Sequence, residues 1–240
     1  MGKPLEETIM RRKGYAAWGP VVLGILFLWQ GAVSAGTVID QDMTDLWGKK
    51  SGSVLFYSKN RLRVDQKDGK LSTIMDFRKN RILILDHPSK TYIAYPFSKW
   101  EKQVSEKLGS RKRVRKREIR VEPTGDQKRI NGFTTRQIRV FIDGILFQDN
   151  WVTQDVDLEE MLDAVRKGAG PLSGFSRAEL EEKEEIYHKI KEWGFPILTT
   201  EYQTVYGKTL KEITEIKRIE TRRLNSRLFN PPGGYTKRTQ

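Results

Sequence analysis

"TIMDFRKNRILILDHPSKTY" (residues 73–92) is the stretch that decides the fold. It contains short apolar runs that are each closed by a polar, turn-forming group, "RKN" or "HPSK". The run "ILIL" at residues 82–85 is apolar at both alternating positions, which is typical of a strand covered on both faces of its sheet. The stretch therefore predicts consecutive strands joined by tight turns.

The same alternation of strands and turns continues on either side of this stretch. Upstream, Asp68-Gly69 favours a tight hairpin. A second meander is predicted to begin near Ile119, and in Arg136–Ile142 apolar and polar residues alternate as they do in a half-buried strand. Asp143-Gly144 closes this strand with another tight turn. The predicted strands of the first meander are Val54–Tyr57, Arg61–Asp65, Leu71–Phe77, Arg81–Asp86 and Thr91–Tyr95.

Helical patterns occur between the meanders and after the second one. Residues 98–108 are amphipathic and favour a short helix. Asp157 is expected to cap the helix that follows it, and Ser176 with Glu179 forms a capping box for another helix. The last two helices together form a predicted helical insert at residues 157–193.

After the insert the chain returns to strands around Gly207-Lys208. Residues 210–219 stay open between strand and helix, because their leucine and isoleucine side chains recur every three residues. The last twenty residues are polar and broken by prolines, so a polar C-terminal tail is expected. Strands, a helical insert and strands in this order predict an α+β fold with one antiparallel sheet.

The N-terminal segment has the three parts of a secretory signal peptide. Three cations at residues 11–13 precede an apolar run, Val21–Trp29, and small residues follow it. Cleavage is predicted between Ala35 and Gly36. Translation is expected to start at Met10, because acidic residues ahead of it do not suit a signal peptide.

A cleaved signal implies an exported or periplasmic protein, with residues 36–240 as a single domain. The alternative is that residues 1–35 stay attached as an N-terminal membrane anchor. A helix that spans a bilayer needs about twenty apolar residues, whereas the apolar run here has only about nine. The cleaved signal is therefore the preferred interpretation.

The composition of the 240 residues is that of a basic globular protein. Lys and Arg number 44 against 31 acidic residues, a net charge of +13 that favours anionic partners. There is no cysteine, which excludes disulfides, thiolate metal sites and cysteine nucleophiles.

The densest basic run lies in a predicted loop at residues 109–118. In an exported chain this run does not meet nucleic acid, so three interpretations stay open: a solvated loop, a contact with an anionic membrane surface, or a contact with an acidic protein partner. Each cation near such a surface contributes on the order of 1 kcal/mol. The cations assigned to this contact are Arg111, Lys112, Arg113, Arg115, Lys116 and Arg117.

No catalytic, cofactor or metal-binding motif is visible. His87 lies in a turn and His188 on a charged helix, and neither has carboxylates at metal-ligand spacing on its own element. Asp155 and Asp157 suit helix capping better than acid–base chemistry. Phosphate-binding glycine loops, nucleophile elbows and dinucleotide fingerprints are missing. We therefore expect a protein that is not an enzyme and has no cofactor or metal.

Three stretches resemble the domain-of-unknown-function family 4412 of exported bacterial proteins: residues 73–92, 130–158 and 228–237. The family's segments read "DF-K-N … D-x-x-x-K-T-Y", "I-N-G-Y … W-V-T-x-D" and "F-x-x-P-x-G-Y", and here Phe133 replaces the tyrosine of the second. The family is similar to the lipoprotein carriers LolA and LolB. This resemblance implies a strongly curved antiparallel sheet, an open half-barrel, with two or three helices closing it over an apolar cavity. No reaction is assigned to the family.

Aromatic residues on or beside the predicted strands are, taken singly, ordinary core residues. As a set they would line the concave face of the implied half-barrel, where an acyl chain or a partner's apolar segment would bind. The candidate ligand-binding residues are Tyr57, Tyr92, Tyr95, Phe147, Trp151, Tyr202 and Tyr206.

The expected function is that of a non-enzymatic protein of the cell envelope that binds a lipid or a lipoprotein acyl chain, with the basic loop on an anionic membrane. The alternative is an envelope interaction or sensor module, in which the half-barrel is filled by its own side chains and a protein partner is bound. A hydrolase, the third hypothesis, needs a cleft with a pKa-shifted carboxylate pair.

Overall fold

The computed structural model describes residues 33–99, 117–163 and 177–239. Within these residues there are twelve strands, one helix of fifteen residues, a 3₁₀ turn at Ser226–Phe229, and helical stretches at 97–99 and 159–163. The elements are β1 (Val33–Thr44), β2 (Lys50–Tyr57), β3 (Arg61–Gln66), β4 (Leu71–Asp76), β5 (Arg81–Asp86), β6 (Thr91–Pro96), β7 (Ile119–Ile130), β8 (Phe133–Ile142), β9 (Ile145–Thr153), α1 (Arg177–Lys191), β10 (Phe195–Val205), β11 (Lys208–Asn225) and β12 (Thr236–Lys237).

All twelve strands belong to one sheet, in the order β12-β6-β5-β4-β3-β2-β1-β11-β10-β9-β8-β7. The strands β1 to β6 form one antiparallel meander and β7 to β11 form another. The two meanders join where β1 pairs with β11 over its whole length. Only β12 is parallel to its neighbour, β6. The predicted single antiparallel sheet is therefore confirmed in outline.

Two details of the predicted fold class are wrong. The described part of the chain is mostly β, with few and short helices, rather than α+β. The sheet is also not closed or strongly curled, so it does not form the strongly curved half-barrel. Its order is open, with β7 and β12 at opposite edges. Because packed side chains cover both faces of the first meander, the sheet need not curl to bury its apolar residues.

The strand predictions for the first meander are close to the structure. The predicted strand Arg81–Asp86 has the bounds of β5. Ile82 is buried on one face of it and Leu83 and Leu85 on the other, as in a strand covered on both faces. The open question at residues 210–219 is resolved as strand, within β11, which pairs with both β1 and β10. The sequence analysis missed β1, which runs across the predicted cleavage site between Ala35 and Gly36.

Two apolar layers cover the first meander. On one face, which we call the helix face, Tyr57, Leu62 and Ile82 pack with residues from the segment that follows β9. On the other, the tail face, Leu83 and Leu85 pack beneath residues 226–235. The tail that was expected to be simply polar thus supplies a buried layer of its own.

Candidate functional site

A pocket of about 730 Å³ lies between α1, the segment that follows β9, and the helix face of the central strands. Most of its wall is apolar. The wall residues come from four parts of the chain, so the pocket forms only in the folded domain. The apolar lining residues are Val156, Leu158, Leu162, Ile186, Ile190, Phe195, Pro196 and Ile216.

Helix α1 provides one side of the pocket through a single stripe of residues. Lys183, Ile186, Tyr187, Ile190 and Lys191 all line it, and their spacing of three and four residues puts them on one helical face. Ile186 and Ile190 also pack on the core formed by β7, β8 and β9. The helix is therefore held to the sheet by the same stripe that lines the pocket.

The sheet side of the pocket carries polar side chains that are already hydrogen-bonded. Asn150 is 1% exposed, donates from Nδ2 to Gln148 Oε1 at 3.3 Å, and accepts from Thr199 Oγ1 at 2.8 Å. Gln148 in turn donates to Glu201 Oε2 at 3.1 Å. Because these buried groups satisfy one another, the floor does not require a polar ligand to complete it.

Charged groups at the pocket mouth pair across it. Lys191 of α1 contacts Glu159, and this carboxylate raises the pKa of Lys191. Lys183 lies 3.6 Å from Glu201. Burial, and then the neighbouring Glu201, raise the pKa of Glu212, which faces Glu201 across β10 and β11. The mouth is thus polar, whereas the interior is largely apolar.

The seven aromatic residues predicted to bind a ligand are not gathered in one place. Tyr57 is in the helix-face core, Tyr92 packs on the tail-face core, and Phe147 packs on the core beneath α1. Tyr206 is 98% exposed in the β10–β11 turn. None of the seven lines the pocket. That they contact a ligand stays a prediction.

The remaining three candidates lie on strands but do not line the pocket. Tyr95 pairs with Ile82 in the first meander. Trp151 lies under the ammonium of Lys128, 3.8 Å from the ring centre. Tyr202 donates to Asp149 at 2.6 Å, and this bond, followed by burial, raises the pKa of Tyr202 to about 12.

Most of the predicted basic loop lies outside the described residues, namely Arg111, Lys112, Arg113, Arg115 and Lys116. Arg117 is described, and its guanidinium forms two hydrogen bonds with the Glu182 carboxylate on α1. Arg117 therefore already has an anionic partner within the domain. The capping box at Ser176 also lies outside the described residues, whereas the cap at Asp157 is confirmed by a 3.2 Å bond from the Glu159 amide.

His87 takes part in a buried chain of hydrogen bonds on the tail face. Its Nε2 is 2.6 Å from Ser72 Oγ, and its Nδ1 is 2.6 Å from the Tyr235 hydroxyl. The Ser72 hydroxyl donates to Asp65 at 2.6 Å, so the neutral imidazole must donate to Ser72 rather than accept its proton. A catalytic triad has the opposite polarity, with histidine accepting the serine proton.

The described residues contain neither a candidate metal site nor a candidate membrane-spanning helix. In residues 33–99, 117–163 and 177–239, no group of three or more histidine or carboxylate side chains is placed to hold a metal ion. Nor does any helix in these ranges have the length and apolar character needed to cross a membrane.

Comparison with known families matches residues 42–235 to the domain of unknown function DUF4412. The chain belongs to the DUF4412 family. No curated protein matches it. Among solved structures it is similar to PNGF-II, with 11% identity over 85% of this chain and 31% of that one, at a TM-score of 0.35. It is also similar to the MucA/MucB complex of Pseudomonas aeruginosa, with 12% identity over 78% and 52% and a TM-score of 0.37. The DUF4412 chain thus spans about half or less of these structures.

Two of the three DUF4412 motifs, residues 73–92 and 228–237, meet at the tail face. Phe229, from the last motif, is 1% exposed and stacks under Arg61, whose guanidinium carbon is 4.4 Å from the ring centre. Tyr235, from the same motif, contacts His87 of the first motif. In the DUF4412 domain these residues attach the tail to the sheet, and none of them lines the pocket.

The pocket residues of this DUF4412 domain were missed by the sequence analysis. The signal that could have found them is the pair of polar residues Gln148 and Asn150 at alternate positions of β9. Both are almost fully buried, whereas the residues between and beside them are half-buried. Polar residues at buried strand positions are uncommon and need partners. Which strands and helix supply those partners is decided by the tertiary structure.

Proposed function

We propose that the protein is a non-enzymatic binding protein that holds an apolar ligand, such as a lipid acyl chain, in the pocket beneath α1. The observation that carries this proposal is the pocket itself, which has largely apolar walls and a volume of about 730 Å³. Small-molecule sites in proteins typically measure about 300–1,000 Å³ and are lined mainly by apolar residues.

The polar groups around the pocket suit an amphipathic ligand. Gln148, Asn150 and Thr199 form a hydrogen-bonded floor, so an acyl chain lying over them leaves no buried donor without a partner. Lys183 and Lys191 lie at the mouth, where a ligand's polar headgroup would remain near water. The ligand that fits this pocket has its apolar tail inside and its polar headgroup at the mouth.

We place this activity in the cell envelope. The signal-like N-terminal pattern supports export, with retention as a membrane anchor as the alternative. The similarity of the DUF4412 family to the lipoprotein carriers supports a lipid or lipoprotein acyl chain as the ligand. The basic run at residues 111–117 would contact an anionic membrane surface, and there Arg117 would have to leave Glu182.

Mass spectrometry of protein isolated from its native envelope tests the ligand directly. We expect an acyl-containing species to co-purify. A pocket-filling variant, Leu162→Trp, should lose it, because the indole would occupy the apolar space that Leu162 now borders. The matched control is Ile145→Trp, at a position that is 74% exposed and outside the pocket.

The same pair of variants can be titrated with cis-parinaric acid, a fluorescent fatty acid. Binding by the wild type and by Ile145→Trp, with at least about tenfold weaker binding by Leu162→Trp, supports the proposal. Absence of both a co-purified acyl species and parinaric acid binding would contradict it. Thermal unfolding of each variant shows whether the domain is intact.

An envelope interaction module is the second candidate, and one observation favours it. Four of the seven aromatic residues expected to line a ligand cavity are instead packed on the core clusters or hydrogen-bonded, as Tyr57 is to Glu160 at 2.7 Å. In that case crosslinking in intact cells should recover a protein partner, and Leu162→Trp should leave that crosslink unchanged.

A further inference from the structure

One end of the first meander is strongly basic. The β2–β3 turn, the β4–β5 turn and the residues after β6 all lie at this end, beside the last residues of β11. We call this surface the basic edge and define it as residues 58–61, 77–81, 97–99 and 222–227. Most of its cations come from separate turns, so it is not visible as a basic run in the sequence.

Backbone hydrogen bonds connect the turns of the basic edge to one another. The Phe77 amide donates to Asn60 O at 3.1 Å, and the Phe97 amide donates to Asn80 O at 3.1 Å. Asn60 and Asn80 both have left-handed backbone conformations, with φ of 61° and 49°, which the tight turns require. The turns therefore form one rigid row rather than independent loops.

The end of β11 continues this row on the far side of β1. Ser58 Oγ donates to Ala35 O at 3.2 Å, and Ala35 is paired with Arg223. From β11 to β6 the edge crosses seven neighbouring strands. At about 4.8 Å per strand spacing, it is about 29 Å long.

Most cations of the basic edge have no counter-charge in the described part of the chain; Arg81, 3.9 Å from Asp76, is an exception. The ranges of the edge contain no acidic residue, and the adjacent Asp76 is 4% exposed and accepts a bond from the Lys79 amide at 3.1 Å. The exposed cations that form no ion pair with a described residue are Lys59, Arg78, Lys79, Arg222, Arg223 and Arg227.

The opposite end of the same meander is different, although it also carries lysines. Lys67 contacts Asp40 at 2.5 Å and Asp42 at 2.6 Å, and Lys70 lies 3.6 Å from Asp68. Like charges are therefore concentrated at one end of the domain. The net charge of +13 alone did not reveal this asymmetry.

We infer that the basic edge docks the protein on the surface of a bilayer that contains anionic phospholipids. The edge presents exposed cations from four segments along one side of the sheet, and the anionic headgroups at a bilayer surface carry the complementary charge.

The basic edge lies outside the pocket, so this inference does not depend on the proposed ligand.

Vesicle sedimentation with the full chain tests the inference against a matched control. The test variant changes Lys59, Arg78, Lys79, Arg222 and Arg223 to Gln. The control variant changes five exposed lysines away from the edge, and so removes the same charge. These are Lys49, Lys50, Lys70, Lys90 and Lys208.

On vesicles of phosphatidylcholine and phosphatidylglycerol at roughly 2:1, we expect the wild type and the control variant to bind, and both to be released in about 1 M NaCl. The test variant should bind at least about 30-fold more weakly, since each cation near an anionic surface adds on the order of 1 kcal/mol. Binding to vesicles of phosphatidylcholine alone measures how much of the total binding is due to the apolar run Val21–Trp29 and not to charge.

Three outcomes would overturn the inference. The first is absence of binding by the wild type, and the second is an equal loss in both variants, which would show an effect of net charge alone. The third is tighter binding of a DNA duplex than of the anionic vesicles, with the duplex binding lost in the test variant. Circular dichroism of both variants confirms that a loss of binding is not a loss of folding.

Discussion

The Tyr235 hydroxyl lies 2.6 Å from Nδ1 of His87, and this contact attaches the C-terminal tail to the β5–β6 turn. The two rings also meet edge-on, with their centres 5.8 Å apart. Beyond His87 the chain of bonds continues through Ser72 to Asp65. The Tyr235 phenol thus connects the C-terminal tail to the β5–β6 turn and, through it, to strands β4 and β3 of the first meander.

Removing that hydroxyl should weaken the tail attachment. We expect Tyr235→Phe to lower the free energy of unfolding by about 1 kcal/mol, the usual contribution of such a hydrogen bond. For a domain of this size the melting temperature should fall by about 2–4 °C. Tyr206→Phe is the control, because Tyr206 is 98% exposed. Equal melting temperatures for the two variants would show that the His87 contact adds nothing.

Phe229 should be a larger determinant of stability than its place in a polar tail suggests. It is 1% exposed and packs with Leu83 and Leu85 on the tail face. Phe229→Ala should cost about 3–5 kcal/mol, because it leaves a cavity and removes the ring under Arg61. Urea unfolding measures the cost, with Leu71→Ala at an exposed position as the control. A change below about 1 kcal/mol would contradict the packing described here.

Gly36 is required by the close packing of β1 against its neighbours. A Cβ at this position would lie 2.5 Å from both Leu224 Cδ1 and the Tyr57 carbonyl oxygen. Gly36→Ala should therefore destabilise the domain by about 1–3 kcal/mol. Gly233→Ala is the matched control, because a Cβ there meets nothing within 4 Å. Denaturant unfolding of the two variants side by side decides the question.

Tyr57 should make stability fall at high pH. Burial, and then its bond to Glu160, raise the pKa of Tyr57 to about 12, against 10.0 for an unperturbed tyrosine. Since the folded-state pKa lies above the unfolded one, the contribution of the phenol is complete below about pH 10 and is lost as pH rises through about 12. Tyr57→Phe should flatten the fall in unfolding free energy between these values, measured by urea midpoints.

Tyr202 has a pKa raised in the same direction and should act over the same pH range. The double variant Tyr57→Phe with Tyr202→Phe should therefore flatten the profile further than either single change. A profile identical to that of the wild type would mean that neither phenol titrates differently in the folded and unfolded states.

Local sequence patterns predicted the strands well because the turns are encoded locally. Asp143 and Gly144 have φ values of 49° and 78°, the left-handed pair that the Asp-Gly sequence favours. The same patterns could not decide residues 210–219, whose spacing fits helix and strand. Residues 210–219 form a strand because β11 pairs with β1 and β10. The pairing with β1 joins residues far apart in the chain.

The candidate site was predicted poorly, for a physical reason. Alternation along a strand tells which residues share a face, but not what covers that face. Trp151 and Asn150 are neighbours in β9, yet Asn150 lines the pocket and Trp151 does not. Aromatic content therefore indicated the core clusters rather than the pocket lining.

The sequence by itself determined the number and order of most strands, the positions of the tight turns, the family and the excess of positive charge. These follow from interactions between residues close in the chain, or from composition. Tertiary structure alone decided that the sheet stays open, that the tail covers one face, that a pocket forms beneath α1, and that cations from separate turns lie along one edge. Each of these depends on contacts between residues far apart in the chain, which no local pattern encodes.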